Sequence, residues 1–225
     1  MGILTRHIKT LFSPRPNFLI EDPNVEAFLR YAVAELKKYD LTATFVLNDS
    51  VDGCGGWFDP SVGLAVATGC SAQSWYGVLV HEFSHFLQWR DNTPAWAACY
   101  DPDGGDRTQE VWNIMAGTAE ATDEEFKSIC GLIKDLECEA ERITVRLLRD
   151  LDIPVDLTAY HKASALYIVF YDHIAKHRQW PSESISADTP EEILSLLPDN
   201  IYGFDFRNFE MPKELEDYYS SRCYE

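Results

Sequence analysis

Basic residues are scarce in this chain: 19 Lys and Arg stand against 37 Asp and Glu, a formal charge of −18. Such a surface repels phosphate backbones, which argues against nucleic-acid binding. The acidic excess suits a solubilising surface and leaves room for a basic protein partner or a cationic substrate. No apolar run reaches the length of a membrane span. Met1 to Ile20 holds basic residues and a Pro-rich turn, Ser13-Pro14-Arg15-Pro16, but no apolar h-region, so no secretory signal is read there. A cytoplasmic protein is the expectation. The cysteines (Cys54, Cys70, Cys99, Cys130, Cys138 and Cys223) show no CxxC spacing, which argues against a cysteine zinc site. In a reducing compartment they are expected to be free thiols, several of them buried. Repeats and low-complexity tracts are missing too. The acidic tract from Asp101 to Asp106 lacks the spacing and closing Glu of a calcium loop and reads as part of a surface flap.

What is present is ample material for a core: 225 residues, 46% hydrophobic, with six Trp, eleven Tyr and twelve Phe. One α+β domain is expected, with a small mixed sheet beside one helix and a mostly helical C-terminal half. An irregular arm is expected over 1–22, the main domain over 23–180, and an extension packed on the same domain over 181–225. The spacing of Val25, Phe28, Leu29, Ala32, Val33 and Leu36 predicts a helix over 23–39. Leu41–Leu47 and Gly63–Ala67 read as strands around a Gly-rich turn at 53–56. Ser71 or Ser74 can cap the next helix. Residues 91–121 read as loop-rich. Thr122 to Glu125 forms a capping box that opens a helix to about Asp150, and another runs from about Leu157 to His177. After Trp180 one short helical piece, 190–197, is expected.

The chemistry is concentrated in His81-Glu82-Phe83-Ser84-His85. Residues four apart stack on one helix face, so both imidazoles can reach one ion, while Glu82 projects beside them to take a proton from water. Tyr76, Val80, Phe83 and Leu87 form a separate apolar stripe for the core. The histidines lie off it, with Gly77 one turn before His81 leaving room for an ion or substrate. Burying two imidazoles and a carboxylate in so apolar a helix is costly without a partner, and Zn2+ is the simplest one.

Zinc with two histidines needs a further protein ligand and an open position. Positions 88 and 91 are Gln88 and Asp91, so the HExxHxxGxxH spacing is absent. A carboxylate from the capping-box helix is expected instead: Glu137, Glu139 or Glu141. Glu137 shares a face with Ile133 and Ala140 and is favoured as ligand. Glu141, one turn on, either accepts from a zinc-bound imidazole or replaces Glu137. Glu139 lies on the other flank.

His81-Glu82-Phe83-Ser84-His85 followed by Glu137-Cys138-Glu139-Ala140-Glu141-Arg142 resembles the gluzincin pattern, HExxH then ExxxD. It is similar to the ImmA/IrrE-like metallopeptidases, whose second motif has the form ExEAN. It also resembles metallopeptidases of bacteria and their phages, in which an acidic-Cys-Glu-Arg helix precedes a Leu-Pro-Ile-Asp turn; here Ile153-Pro154-Val155-Asp156 follows. Two departures stand out. Glu141 sits where that family usually has Asp or Asn, and Glu137 comes 52 residues after His85, a long gap for the ImmA/IrrE-like group. The resemblance covers roughly residues 23–180 and implies a zincin-like fold. It implies an intracellular zinc metallopeptidase of phage or prophage origin that cleaves a protein or peptide, with Glu82 as catalytic base. Tyr160, His161, Tyr167 and His173 are candidates for stabilising the oxyanion. The alternative is a catalytically silent protein of the same fold, acting through its acidic surface.

Overall fold

The computed structural model describes residues 20, 22–100, 105–180 and 189–223. The arm expected over 1–22 lies almost wholly outside these residues, as does the acidic tract from Asp101 to Gly104.

Asp22 opens α1, Pro23–Lys37, accepting from the N–H groups of Asn24 and Val25, with Pro23 at the start where no N–H is needed. Three short strands follow: β1 Thr42–Val46, β2 Gly56–Asp59 and β3 Gly63–Ala67. Their spatial order is β1-β3-β2; β1 runs parallel to β3 and β2 antiparallel. The sheet is thus small and mixed, and the fold is α+β. β2 was not among the expected strands; it takes in Gly56, the last residue of the Gly-rich turn, and the three residues after it. It is only four residues long, and residues 63 to 67, its partner, supply the pairing that defines it.

Helix α2, Ala72–Asp91, crosses this sheet. Ser71 caps it, accepting from Ser74 N–H, and Asn92 ends it in the left-handed conformation at φ 44°. Phe83, Phe86, Leu79 and Val80 are fully buried against α1 and the sheet. The expectation that 91–121 is loop-rich is corrected. Two helices lie there, α3 Pro94–Cys99 and α4 Arg107–Met115. Their apolar periodicity is too brief to read, but Thr93 with Pro94 and Asp106 with Arg107 are ordinary N-terminal capping pairs.

Helix α5, Asp123–Asp150, carries the full capping box: Thr122 Oγ1 accepts from Glu125 N–H, and Glu125 Oε2 accepts from Thr122 N–H. Helix α6, Leu157–His177, packs along it. The C-terminal part adds α7, Glu191–Leu194, a 3-10 turn at Phe206–Asn208, and α8, Lys213–Ser220. Helix α8 was not expected; its N-terminus at Pro212 has no side-chain cap to announce it. This segment is tied down by buried and half-buried donors. Lys134 donates to Phe206 O, Arg142 to Phe204 O, and Tyr219 to Leu166 O.

Two hydrophobic clusters result, one around α1, the sheet and α2, the other around α3 to α6 and the C-terminal segment. Helices α2 and α5 form the seam. Ser84 and Thr144 meet across it, their hydroxyls 2.9 Å apart; each also lies within hydrogen-bond reach of a carbonyl of its own helix, Val80 O or Ala140 O, so one hydroxyl donates across the seam while the other donates along its helix. A buried hydroxyl pair of this kind is worth about 1 kcal/mol. Its larger consequence is register: with Ser84 opposite Thr144, the turn bearing His81 and His85 faces the turn bearing Glu137 and Glu141.

Candidate metal centre

The two imidazoles of α2 converge. His81 Nε2 and His85 Nε2 are 3.1 Å apart, and the ring planes are nearly perpendicular. Glu137 Oε2 from α5 lies 3.4 Å from His81 Nε2 and 3.5 Å from His85 Nε2. Glu137 Oε2 has no hydrogen-bond partner although Glu137 is only 8% exposed. These are three acceptor atoms facing one point, which is the donor set of a cation site.

The spacing fits. Four ligands placed tetrahedrally at about 2.0–2.1 Å, the distance zinc makes to imidazole and carboxylate, lie about 3.3–3.4 Å from one another. The three edges of the His81, His85, Glu137 triangle bracket that value. Energetics favour an ion as well. Each charged group taken out of water costs several kcal/mol, whereas binding of structural zinc in small peptides releases roughly 10–16 kcal/mol. This group could therefore hold a metal ion.

Each remaining ring nitrogen has an acceptor nearby, hydrogen-bonded only in the case of His85. His85 Nδ1 is 2.8 Å from Gln88 Oε1. The Gln88 amide is oriented without ambiguity, because its Nε2 donates both to Leu136 O at 2.9 Å and to Glu139 Oε2 at 2.8 Å. The Gln88 oxygen must then face His85, so in the neutral ring the proton sits on His85 Nδ1 and the Nε2 lone pair is available to a cation. Glu139 is held in turn by Thr93 Oγ1 at 2.5 Å. On the other ring, His81 Nδ1 lies 3.2 Å from Glu141 Oε1, close but poorly aligned as a hydrogen bond. Glu141 Oε2 accepts from Ser164 Oγ at 2.8 Å. Replacing Gln88 by Leu is expected to weaken metal binding about 10–100-fold, the usual effect of losing such a partner. Competition with a chromophoric chelator would read it. An affinity within twofold of wild type would mean that the amide does not orient the ring.

Glu82 is 6% exposed and projects beside the pair towards β2. Gly56 makes this possible, since a Cβ there would stand 2.9 Å from Glu82 Cγ and 2.6 Å from Val78 Cγ1. Burial, aided by Glu137 and Glu141, raises the Glu82 pKa against the pull of the imidazoles.

The other members are coupled. Burial alone would depress His81, but Glu141, Glu137 and Glu82 together push it well above the ordinary imidazole value. His85 is raised in the same way, mainly by Glu137. Burial opposes ionisation of Glu137, yet His85 and His81 bring it well below the usual carboxyl range. A consequence for the metal-free protein follows. The raised histidines stabilise the fold fully below the ordinary 6.5, and that stabilisation is lost as pH climbs through their folded values. The lowered Glu137 stabilises fully above 4.5 and loses its effect on acidification. Glu82 ionisation works against folding at higher pH, in the same direction as the histidines. The thermal midpoint of chelator-treated protein is therefore expected to fall by several degrees as pH rises above about 6.5. With metal bound the trend reverses, because ligand imidazoles must be neutral. A flat profile for the metal-free protein across that range would contradict the coupling.

The structure brings His81, His85 and Glu137 together, with Glu141 behind His81 and Glu139 behind Gln88. Gly77 does not leave room for an ion or substrate. A Cβ there would stand 2.8 Å from Tyr160 Cε2, so the space is filled by the Tyr160 ring. Tyr160 sits on the Glu141 side, where burial and then the Glu141 carboxylate push its pKa well above the usual phenol value. His161 accepts from Ile201 N–H and packs edge-on against Tyr202. His173 stacks on Phe170 and contacts Cys223; burial and His177 push its pKa down to about 4. Neither histidine joins the triangle. Tyr167 differs. Its hydroxyl is 3.1 Å from that of Tyr171, and burial, then Glu137 and Glu82, keep it protonated. Gln88, Glu139 in its anchoring role, Ser84, Thr144 and Ser164 were not singled out from the sequence. A Gln one turn after a ligand histidine was the available signal for Gln88.

Comparison of the chain with protein-family models, with curated proteins and with solved structures returns no match in any of the three. What the cluster can do follows from its own geometry.

Proposed function

We infer that the protein is a zinc-dependent peptidase with a zincin-like fold, and that His81, His85 and Glu137 hold the ion. One observation carries this reading: three converging acceptor atoms, 3.1–3.5 Å apart, one of them a buried carboxylate oxygen with no other partner. Three protein ligands leave a fourth tetrahedral position open, which separates a catalytic site from a structural one. When bound, the ion supplies Lewis-acid activation of water and of the scissile carbonyl.

The chain's own groups supply the rest. Glu82 takes the proton released as water adds to the carbonyl carbon and delivers it to the leaving amine nitrogen as the C–N bond breaks. Its raised pKa suits a group that must hold a proton between those two events. Tyr167, protonated and under the influence of both Glu137 and Glu82, is the oxyanion donor favoured among the four candidates.

An extended substrate has a place to lie. Ala67 N–H donates to Gly55 O, so the ladder continues through Trp57 and Asp59, and Gly56 and Phe58 turn their backbone groups outward, where Gly56 O also accepts from Cys54 Sγ at 3.1 Å. A segment added along this edge of β2 would pass beside Glu82.

The test is metal-dependent cleavage of an unfolded protein such as casein. Zinc-replete protein is expected to cleave it, chelation to stop cleavage, and zinc to restore it. Zinc bound stoichiometrically with no cleavage of any substrate would favour the silent, interaction-only alternative.

A further inference from the structure

We propose that the segment bound along β2 is cationic, an extended stretch rich in Lys and Arg that the acidic surroundings of the site select. This rests on the peptidase reading and adds the substrate class to it.

Between Lys38 and Arg90 the chain contains no Lys or Arg. That interval holds the entire sheet and all of α2 before its last turn. The outer edge of β2, unpaired by any strand among the described residues, and the helix bearing His81, Glu82 and His85 thus offer no basic side chain. The same interval contributes Asp40, Asp49, Asp52, Asp59 and Glu82. Asp49 and Asp52 are exposed on the connection from β1 to β2. Asp52 is tied to the edge strand itself, its Oδ2 accepting from the Trp57 indole N–H at 3.0 Å.

Helix α5 adds Glu137, Glu139 and Glu141 to the same region. The cation next to them, Arg142, turns away and donates to Ile201 O and Phe204 O. The main electrostatic influences on His81, Glu82, His85 and Glu137 are one another and Glu141. A divalent ion brings two positive charges to a cluster with four carboxylates, so the loaded site stays anionic. The second, independent feature is the open edge. The outward groups of Gly56 and Phe58 bind backbone, which any extended segment offers, while the carboxylates sort segments by charge.

The probes are three fluorescein-labelled peptides of equal length with alternating Lys-Ala, Ser-Ala or Glu-Ala sequence. Binding is followed by anisotropy on the zinc-replete Glu82→Gln protein, and cleavage by mass spectrometry on wild type. The Lys-Ala peptide is expected to bind about tenfold more tightly than Ser-Ala, and Glu-Ala more weakly than either. The difference should close in about 0.5 M NaCl, where the screening length shrinks to a few ångströms. An Asp49→Asn, Asp52→Asn double variant keeps an acceptor for Trp57 and should lower the Lys-Ala to Ser-Ala ratio about threefold. Equal binding of the three peptides, or preference for Glu-Ala, overturns the proposal. So does a Lys-Ala preference that the double variant leaves intact, since the contact then lies elsewhere on the acidic surface. Binding is read on protein that need not turn over. Absence of cleavage by wild type therefore counts against the peptidase reading alone, and absence of charge preference against this proposal alone.

Discussion

Glu82→Gln is expected to lower kcat for peptide hydrolysis by about 10²–10⁴-fold, the usual contribution of a positioned general base, while zinc stoichiometry stays at wild-type level. The substitution conserves shape at a crowded place. The Glu82 stem lies against Gly56, and the side chain is only 6% exposed, so a smaller residue would leave a cavity and a larger one would clash. It also removes a negative charge that Glu137 and Glu141 disfavour. Folding stability should therefore hold or rise while turnover collapses, a combination that general damage to the fold would not produce. Steady-state kinetics with metal analysis of the same sample reads both quantities. Retained turnover would remove Glu82 from the chemistry. Loss of zinc would make it a ligand and redraw the centre.

Glu137→Gln is expected to weaken zinc binding by about 10²–10³-fold. The estimate divides roughly 10–16 kcal/mol of binding among four ligands, about 2.5–4 kcal/mol each, at 1.4 kcal/mol per decade. Glu137 Oε2 is the only carboxylate oxygen within 3.5 Å of both imidazole Nε2 atoms among the described residues. Glu141 reaches the far side of His81 and Glu139 reaches only Gln88 and Thr93, so their Gln variants should cost less. Titration of the three variants with zinc under one set of conditions should give the order Glu137, then Glu141, then Glu139. An equal or larger loss at Glu141 would transfer the ligand role to it.

Parts of this molecule were legible in the sequence because their signals are local. Helix α5 announces itself through Thr122 and Glu125 and through a long apolar face, and α1 shows a similar stripe; α2 and α6 are apolar on more than one side and were legible as long apolar stretches between caps. His81, Glu82 and His85 lie within one helical turn of each other, so their mutual placement needs no tertiary information. The features that escaped depend on contacts between distant segments. Helices α3 and α4 are too short for periodicity and rest on their caps, Thr93 and Asp106. Strand β2 exists only by pairing with β3. Which glutamate meets the imidazoles depends on the register of α2 against α5, which the Ser84 and Thr144 hydroxyls hold across 60 residues of chain. Gln88 looked like the residue that breaks a longer zinc motif, and its amide instead fixes the His85 tautomer. Gly77 suggested open space beside His81, but Tyr160, from 83 residues further along the chain, fills it.

The most direct measurement is an anomalous difference map at the zinc absorption edge from crystals of zinc-replete protein. One ion is expected where α2 meets α5, about 2.0–2.2 Å from His81 Nε2, His85 Nε2 and a Glu137 carboxylate oxygen, with one coordination position left to solvent. Imidazoles turned apart, or a fully loaded sample with no peak between them, would contradict it.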